Sequence, residues 1–63
     1  MNTIQRVKEL AAAHGMTLFQ LAKLCDLNYN TLKSAEERHY QLSVDTIEII
    51  CAGLHMPLRD FFL

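Results

Sequence analysis

Residues 17–37, TLFQLAKLCDLNYNTLKSAEE, decide the fold of this 63-residue chain. The stretch predicts two short helices joined by a tight turn, one over residues 18–25 and the next over residues 29–37. Thr17 and Asn28 are suited to cap the two helices, and Asp26 lies in the turn, where a left-handed backbone is needed. The apolar residues expected to point into one core are Leu21, Ala22, Leu24, Leu27 and Leu32.

The second helix of this pair keeps its polar side chains on the outside. An exposed polar helix braced by a buried one is the arrangement used to read a DNA major groove. Tyr29, Asn30, Lys33 and Ser34 have no predicted place in the core, so they are the candidates for contacts with base edges. Asn28 is a further candidate, because Asn pairs bidentately with adenine, but capping the helix is the favoured alternative.

A first helix is predicted before this pair, over residues 3–13, with Asn2 or Thr3 as its cap. Gly15 ends it, because glycine takes the left-handed conformation that helix C-termini favour. The apolar positions recur every three or four residues, as in a helix with one buried stripe. They are Ile4, Val7, Leu10 and Ala11.

The remaining residues predict a polar loop and two more helices. Residues 38–42 form the loop, with Tyr40 as its anchor. Ser43 caps a fourth helix, and Pro57 opens a short fifth one, because proline suits a first helical turn. Nothing in the chain alternates as a strand does, so the prediction is an all-α domain of five short helices spanning residues 1–63.

Composition limits the class of protein. The chain is 51% hydrophobic and has a formal net charge of −1, with no apolar run long enough to cross a bilayer or to form a secretion signal. We therefore expect a cytoplasmic protein, in which Cys25 and Cys51 are buried, reduced thiols. The spacing of Cys and His matches no metal site, and no catalytic set of residues is evident, so neither an enzyme nor a cofactor is predicted.

The pattern resembles the Cro/repressor-type helix-turn-helix family, also called lambda-repressor-like or xenobiotic-response-element-like. The likeness extends from Ile4 to Phe62. It is carried by the joint spacing of Gly15, Thr17, Leu21-Ala22, Leu27, Thr31-Leu32, Glu36, Leu42, Thr46-Ile47, Leu58 and Phe61-Phe62. The resemblance implies that residues 28–34 face base edges, and that the starts of the second and fourth helices hold phosphates.

Three positions depart from the family pattern, and they predict reduced DNA affinity. Leu18 stands where the family often has Gln, and Asp26 stands where Gly is usual. Ala35 replaces a large aliphatic residue, which predicts a less firmly seated third helix.

Two outer surfaces are candidates for contact with partners. The residues expected on the phosphate side are Thr17, Lys23, Arg38, His39 and Gln41. The C-terminal residues Leu58, Phe61, Phe62 and Leu63 are too apolar for one short helix to bury, so they predict a homodimer interface. The alternative is that they pack against another part of a longer protein.

Charge leaves two functions open. Between residues 17 and 44 there are three cations and three anions, Lys23, Lys33 and Arg38 against Asp26, Glu36 and Glu37. The first interpretation is a DNA-binding transcriptional repressor that dimerises to double its phosphate contacts. The alternative is a helix-turn-helix reused as a protein-interaction or antitoxin-like module, with Leu18 and Phe19 as its contact patch.

Overall fold

The computed structural model describes all residues 1–63 and contains five helices and no strand. The helices are α1 (Thr3–Ala13), α2 (Leu18–Leu24), α3 (Tyr29–Arg38), α4 (Val44–Gly53) and α5 (Leu58–Phe61). The all-α prediction is confirmed, and the predicted helix ends agree to within one residue where they were given. None of the five helices has the length and apolar content needed to span a membrane.

Side chains cap the first four helices, as the sequence predicts. Asn2, Asn28 and Ser43 each accept a hydrogen bond from a backbone N–H in the following turn. Thr17 forms a capping box with Gln20, in which each side chain bonds the other residue's backbone N–H, at 3.1 and 2.8 Å. These bonds satisfy N–H groups that have no partner inside the helix.

The same four helices end on a residue in the left-handed conformation. These residues are Gly15, Asp26, His39 and His55, with φ between 55° and 70°. In each case the next residue donates its N–H to a carbonyl five positions back, for example Leu27 to Ala22 at 2.8 Å. This is the Schellman type of helix end, which reverses the chain in two or three residues. Three of the four positions carry a side chain where glycine would be free of strain.

The core lies between all five helices. Fifteen hydrophobic residues form one buried cluster. The largest fully buried side chains are Phe61, Leu21, Leu32, Ile47, Ile50 and Val7. Both cysteines lie in this cluster as free thiols, as expected.

The structure corrects the placement of two hydrophobic residues, Leu24 and Tyr40. Leu24 is 54% exposed, because Leu21, Ala22 and Cys25 already occupy the side of α2 that faces the core. Tyr40 is exposed and does not anchor the α3–α4 loop. Leu27 is only partly buried, although it does pack against the core.

Candidate nucleic-acid interface

Two fully buried residues on one side of α3 fix the helix to the domain. Leu32 and Ala35 both have no exposed surface, and Ala22 on the neighbouring α2 has none either. Small residues at a helix crossing let the backbones approach closely. Leu32 and Ala35 therefore hold α3 against the domain, and the less firm seating expected from Ala35 in place of a large aliphatic residue stays a prediction.

The opposite side of α3 is polar, and its side chains have no hydrogen-bonding partner within the domain. Asn30, Lys33 and Glu37 are exposed, and Ser34 is partly exposed. Helical spacing places these four on one outward face. None of their side chains makes a hydrogen bond or an ion pair within the domain. Sequence reasoning did not include Glu37 among the site residues, although its position seven residues after Asn30 indicates the same face.

The two residues at the start of α3 have structural roles. Asn28 is the N-cap, and its Oδ1 accepts from the backbone N–H of Asn30 at 2.9 Å. Tyr29 is partly buried against the core, and its ring meets that of Phe19 at 5.3 Å and 77°. The expectation that Tyr29 has no packing role is therefore wrong. Lys23, in the last turn of α2, places its Nζ 5.3 Å from the centroid of the Phe19 ring, so the three side chains form one group.

Leu18 and Phe19, expected together as an exposed patch, are separated by the structure. Leu18 is partly buried and packs on the core. Phe19 is 50% exposed. The patch is thus one exposed aromatic ring rather than two apolar side chains.

Two of the residues expected to contact phosphate are held by bonds within the domain. The Thr17 hydroxyl accepts from Gln20 N–H in the capping box. Gln41 Oε1 accepts from both the N–H and the hydroxyl of Thr3, at 3.0 and 2.7 Å, while its Nε2 donates to the Met1 carbonyl at 2.7 Å. Both polar atoms of the Gln41 amide are therefore committed to the fold.

Thr3, considered from the sequence only as a possible cap of α1, has a structural role that sequence reasoning missed. It is the one buried polar residue of the chain, and its Oγ1 accepts from the backbone N–H of Leu42 at 2.8 Å. Together with Gln41 it ties the start of α1 to the α3–α4 loop. The partners lie 38 and 39 positions apart, so no local pattern could have indicated them.

Comparison with models of protein families shows which family the chain belongs to. A model described as the Cro/C1-type HTH (helix-turn-helix) DNA-binding domain matches residues 6–62. The chain belongs to this family. Comparisons with curated proteins and with solved structures gave no match. As a Cro/C1-type domain, the chain has α2 and α3 as its helix-turn-helix.

An ion pair with α1 changes the charge that the helix-turn-helix of this Cro/C1-type domain presents, relative to the count of three cations and three anions. Lys8 of α1 donates a hydrogen bond to Glu36 of α3 and forms an ion pair with it. This bond, followed by the charge of Lys8, holds the pKa of Glu36 below its ordinary value. Glu36 is therefore neutralised from α1, whereas Lys33 and Arg38 have no ion-pair partner within hydrogen-bonding range.

The C-terminal residues of the Cro/C1-type domain divide into a buried and an exposed set. Phe61 is fully buried in the domain's own core, so its expected place in a dimer interface is wrong. Leu58, Phe62 and Leu63 remain exposed, and Leu63 is 86% exposed. The apolar run was too long for one short helix to bury, as predicted, but only part of it is free.

The thiols of the Cro/C1-type domain are held in the neutral form. Burial raises the pKa of Cys25, and the neighbouring Cys51 raises it further. Burial also raises the pKa of Cys51, with smaller effects from Asp60 and Glu48. Since the thiolate is the reactive and metal-binding form, neither cysteine is activated for such chemistry.

Proposed function

We propose that this Cro/C1-type domain is a sequence-specific transcriptional regulator, a repressor, which binds operator DNA in the cytoplasm as a homodimer with α3 in the major groove. The observation that supports this most is the outward face of α3. On a helix held by the fully buried Leu32 and Ala35, several outward polar side chains are not used by the domain itself. Such groups gain hydrogen bonds from base edges without losing any within the protein.

The roles proposed for individual residues follow from which side chains have no hydrogen bond or ion pair within the domain. Asn30, Lys33 and Ser34 are the base-reading residues, with Asn30 suited to adenine and Lys33 to guanine. Asn28 acts through its cap, and Tyr29 acts through its contact with Phe19. These two residues therefore orient the helix more than they bond to bases through polar atoms.

We assign phosphate binding to exposed basic side chains of α2 and of the end of α3. Lys23, Arg38 and His39 are exposed, and the backbone N–H groups at the starts of α2 and α4 add to them. Thr17 and Gln41 support these segments through hydrogen bonds rather than through contact with DNA. Because few cations take part, the affinity of one domain for DNA is expected to be low.

A homodimer would double those contacts. Leu58, Phe62 and Leu63 offer apolar surface away from the core, which favours an interface formed by α5 and the residues after it. Two domains related by a twofold axis would present two copies of α3 to half-sites one helical turn apart. The proposed operator is therefore a short inverted repeat.

One observation favours a second candidate, a protein-interaction module. Phe19 is half exposed on a helix-turn-helix that has only three cations, Lys23, Lys33 and Arg38, for contact with phosphates. Exposed aromatic rings are frequent anchors in protein interfaces. In this case the ring would bind a protein partner and α3 would not enter DNA.

A selection experiment separates the two candidates. A labelled pool of random duplex DNA is titrated with the protein at two salt concentrations, the lower near 50 mM. A DNA-binding regulator enriches particular sequences, and its affinity falls steeply as salt rises. If no sequence is enriched even at the lower salt concentration, the regulator proposal is wrong and the protein-interaction candidate gains.

A further inference from the structure

Phe19 and Tyr29 bring two aromatic rings together where the first turns of α2 and α3 meet. Their centroids are 5.3 Å apart and their planes cross at 77°, the edge-to-face geometry that aromatic pairs prefer. Tyr29 is the first residue of α3 and is partly buried, whereas Phe19 is 50% exposed. The pair is therefore fixed to the core on one side and open to solvent on the other.

The surroundings of this pair contain one cation and one free amide. Lys23 Nζ lies 5.3 Å from the Phe19 ring centroid, which keeps a positive charge beside the exposed ring. Asn30 follows Tyr29 directly, and its side-chain amide has no partner within the domain. The exposed ring has a cation beside it, and the free amide follows Tyr29 in the first turn of α3.

An A·T base pair displays the matching groups. In the major groove, thymine exposes its C5-methyl group, adenine exposes N7 and the N6 amino group, and a phosphate lies beside each base. Asn pairs bidentately with adenine, and apolar side chains, Phe among them, contact the thymine methyl. The N-terminal residues of a recognition helix are the ones that reach base edges.

We propose that the Phe19–Tyr29 pair contacts the C5-methyl group of a thymine, so that each half-site carries a thymine next to the adenine or other base read by Asn30. This inference rests on the proposed function, since it names the base that the same surface selects. It gives Phe19 a role in specificity, although Phe19 lies outside α3. It also explains an aromatic residue half exposed beside the reading helix.

The test removes the methyl group and leaves the base pair intact. A duplex enriched by the wild-type protein from the random pool is resynthesised with uracil in place of thymine at one position at a time. Uracil differs from thymine only by that methyl group. At one position in each half-site, we expect the wild-type protein to bind the uracil duplex about fourfold more weakly, the effect of exposing one buried carbon group.

Three variants assign that loss to the ring pair. Phe19→Ala should bind thymine and uracil duplexes equally, because the apolar contact is gone. Tyr29→Phe retains the ring and should keep the fourfold difference. Leu24→Ala is the matched control, because Leu24 is 54% exposed, close to the 50% of Phe19, and lies at the other end of the same helix; it should also keep the difference.

Two results would overturn the inference while leaving the proposed function intact. One is equal binding of thymine and uracil duplexes by the wild-type protein at every position. The other is a uracil effect that persists undiminished in Phe19→Ala, with the fold of the variant verified by circular dichroism. If the random pool yields no enriched duplex at all, both the proposed function and this inference are wrong.

Discussion

The Arg6 side chain caps the carboxyl end of α5 at Phe61. Its Nε donates a hydrogen bond to the Phe61 carbonyl oxygen at 2.7 Å, and its Nη2 donates to the Asp60 carbonyl oxygen at 2.9 Å. A helix of four residues has no stability of its own, and its last carbonyls lack partners within the helix. The core therefore holds the Phe61 ring while Arg6 holds its backbone.

We expect Arg6→Ala to lower the free energy of unfolding by about 1.5–3 kcal/mol, the range for hydrogen bonds to a charged group. Urea denaturation followed by circular dichroism measures this change. Arg59→Ala is the control, because the Arg59 side chain is 86% exposed and its only ion pair, with Asp60, spans 3.9 Å. That variant should stay within about 0.5 kcal/mol of the wild type. Equal losses in the two variants would contradict the capping role of Arg6.

Substitutions at two adjacent residues of α3, Leu32 and Lys33, should affect stability and DNA binding separately. Leu32→Ala removes a fully buried side chain and should lower the free energy of unfolding by about 2–5 kcal/mol. Lys33→Ala should change it by less than about 0.5 kcal/mol, because Lys33 is exposed and unpaired. If Lys33 or Asn30 faces DNA, replacing it with Ala weakens binding to a selected duplex. A Lys33→Ala protein that melts normally and binds with full affinity would remove Lys33 from the proposed interface.

Replacing Phe61 and replacing Phe62 by Ser should have different effects on folding and on dimer formation. Phe62 is half exposed and touches the Phe61 ring edge to face at 5.1 Å, so Phe62→Ser should cost no more than about 1.5 kcal/mol of stability. In the proposed homodimer it should also shift the protein toward monomer, as measured by sedimentation velocity over a micromolar concentration series. Phe61→Ser should instead prevent folding, because its ring lies in the core. A wild-type protein that sediments as a monomer throughout would refute the dimer.

The sequence predicts most of the fold because local signals agree. Caps, helix ends and apolar stripes each point to the same five helices, and the core positions follow from helical spacing. Leu24 is the exception. A helix of seven residues offers the core only one narrow side, and spacing alone does not indicate which of several leucines lies on it.

The site is less predictable, because its contacts join distant parts of the chain. Gln41 reads as a free polar side chain until Thr3 is placed beside it. From the sequence Tyr29 is predicted to be exposed, because its contact with Phe19 of α2 appears only in the folded structure. The burial of Phe61 rather than Phe62 depends on how α5 meets the core, and two adjacent aromatic residues give no local signal to distinguish them.

A close approach between α2 and α4 predicts a pair of coupled substitutions. A Cβ placed on Gly53 would lie 2.4 Å from the buried Cys25 sulfur, well inside contact distance. Gly53→Ala should therefore lower the free energy of unfolding by about 1–3 kcal/mol through overpacking. Cys25→Ala removes the sulfur, so the double variant should lose less than the sum of the two single losses.

Gly15→Ala is the control for the double-mutant cycle formed by Gly53→Ala and Cys25→Ala. No atom lies within 4 Å of the Cβ that it would add, but its φ of +70° makes any side chain unfavourable. Its loss should be about 1–2 kcal/mol and should be the same with or without Cys25→Ala. Strict additivity in the Gly53–Cys25 cycle, measured by urea denaturation, would mean that the sulfur and the glycine do not constrain each other.

The left-handed residues at the helix ends give a prediction that links stability to DNA binding. Asp26 has a φ of +55° in the turn between α2 and α3, and His55 has a φ of +57° after α4. Replacing either with Gly relieves strain of about 1 kcal/mol, so both Asp26→Gly and His55→Gly should raise the melting temperature. Only Asp26→Gly also removes an anion from the helix-turn-helix. It should therefore bind selected duplex DNA more tightly at low salt, while His55→Gly binds as the wild type does. If both variants gain stability and neither gains affinity, the turn between α2 and α3 does not face the phosphate backbone.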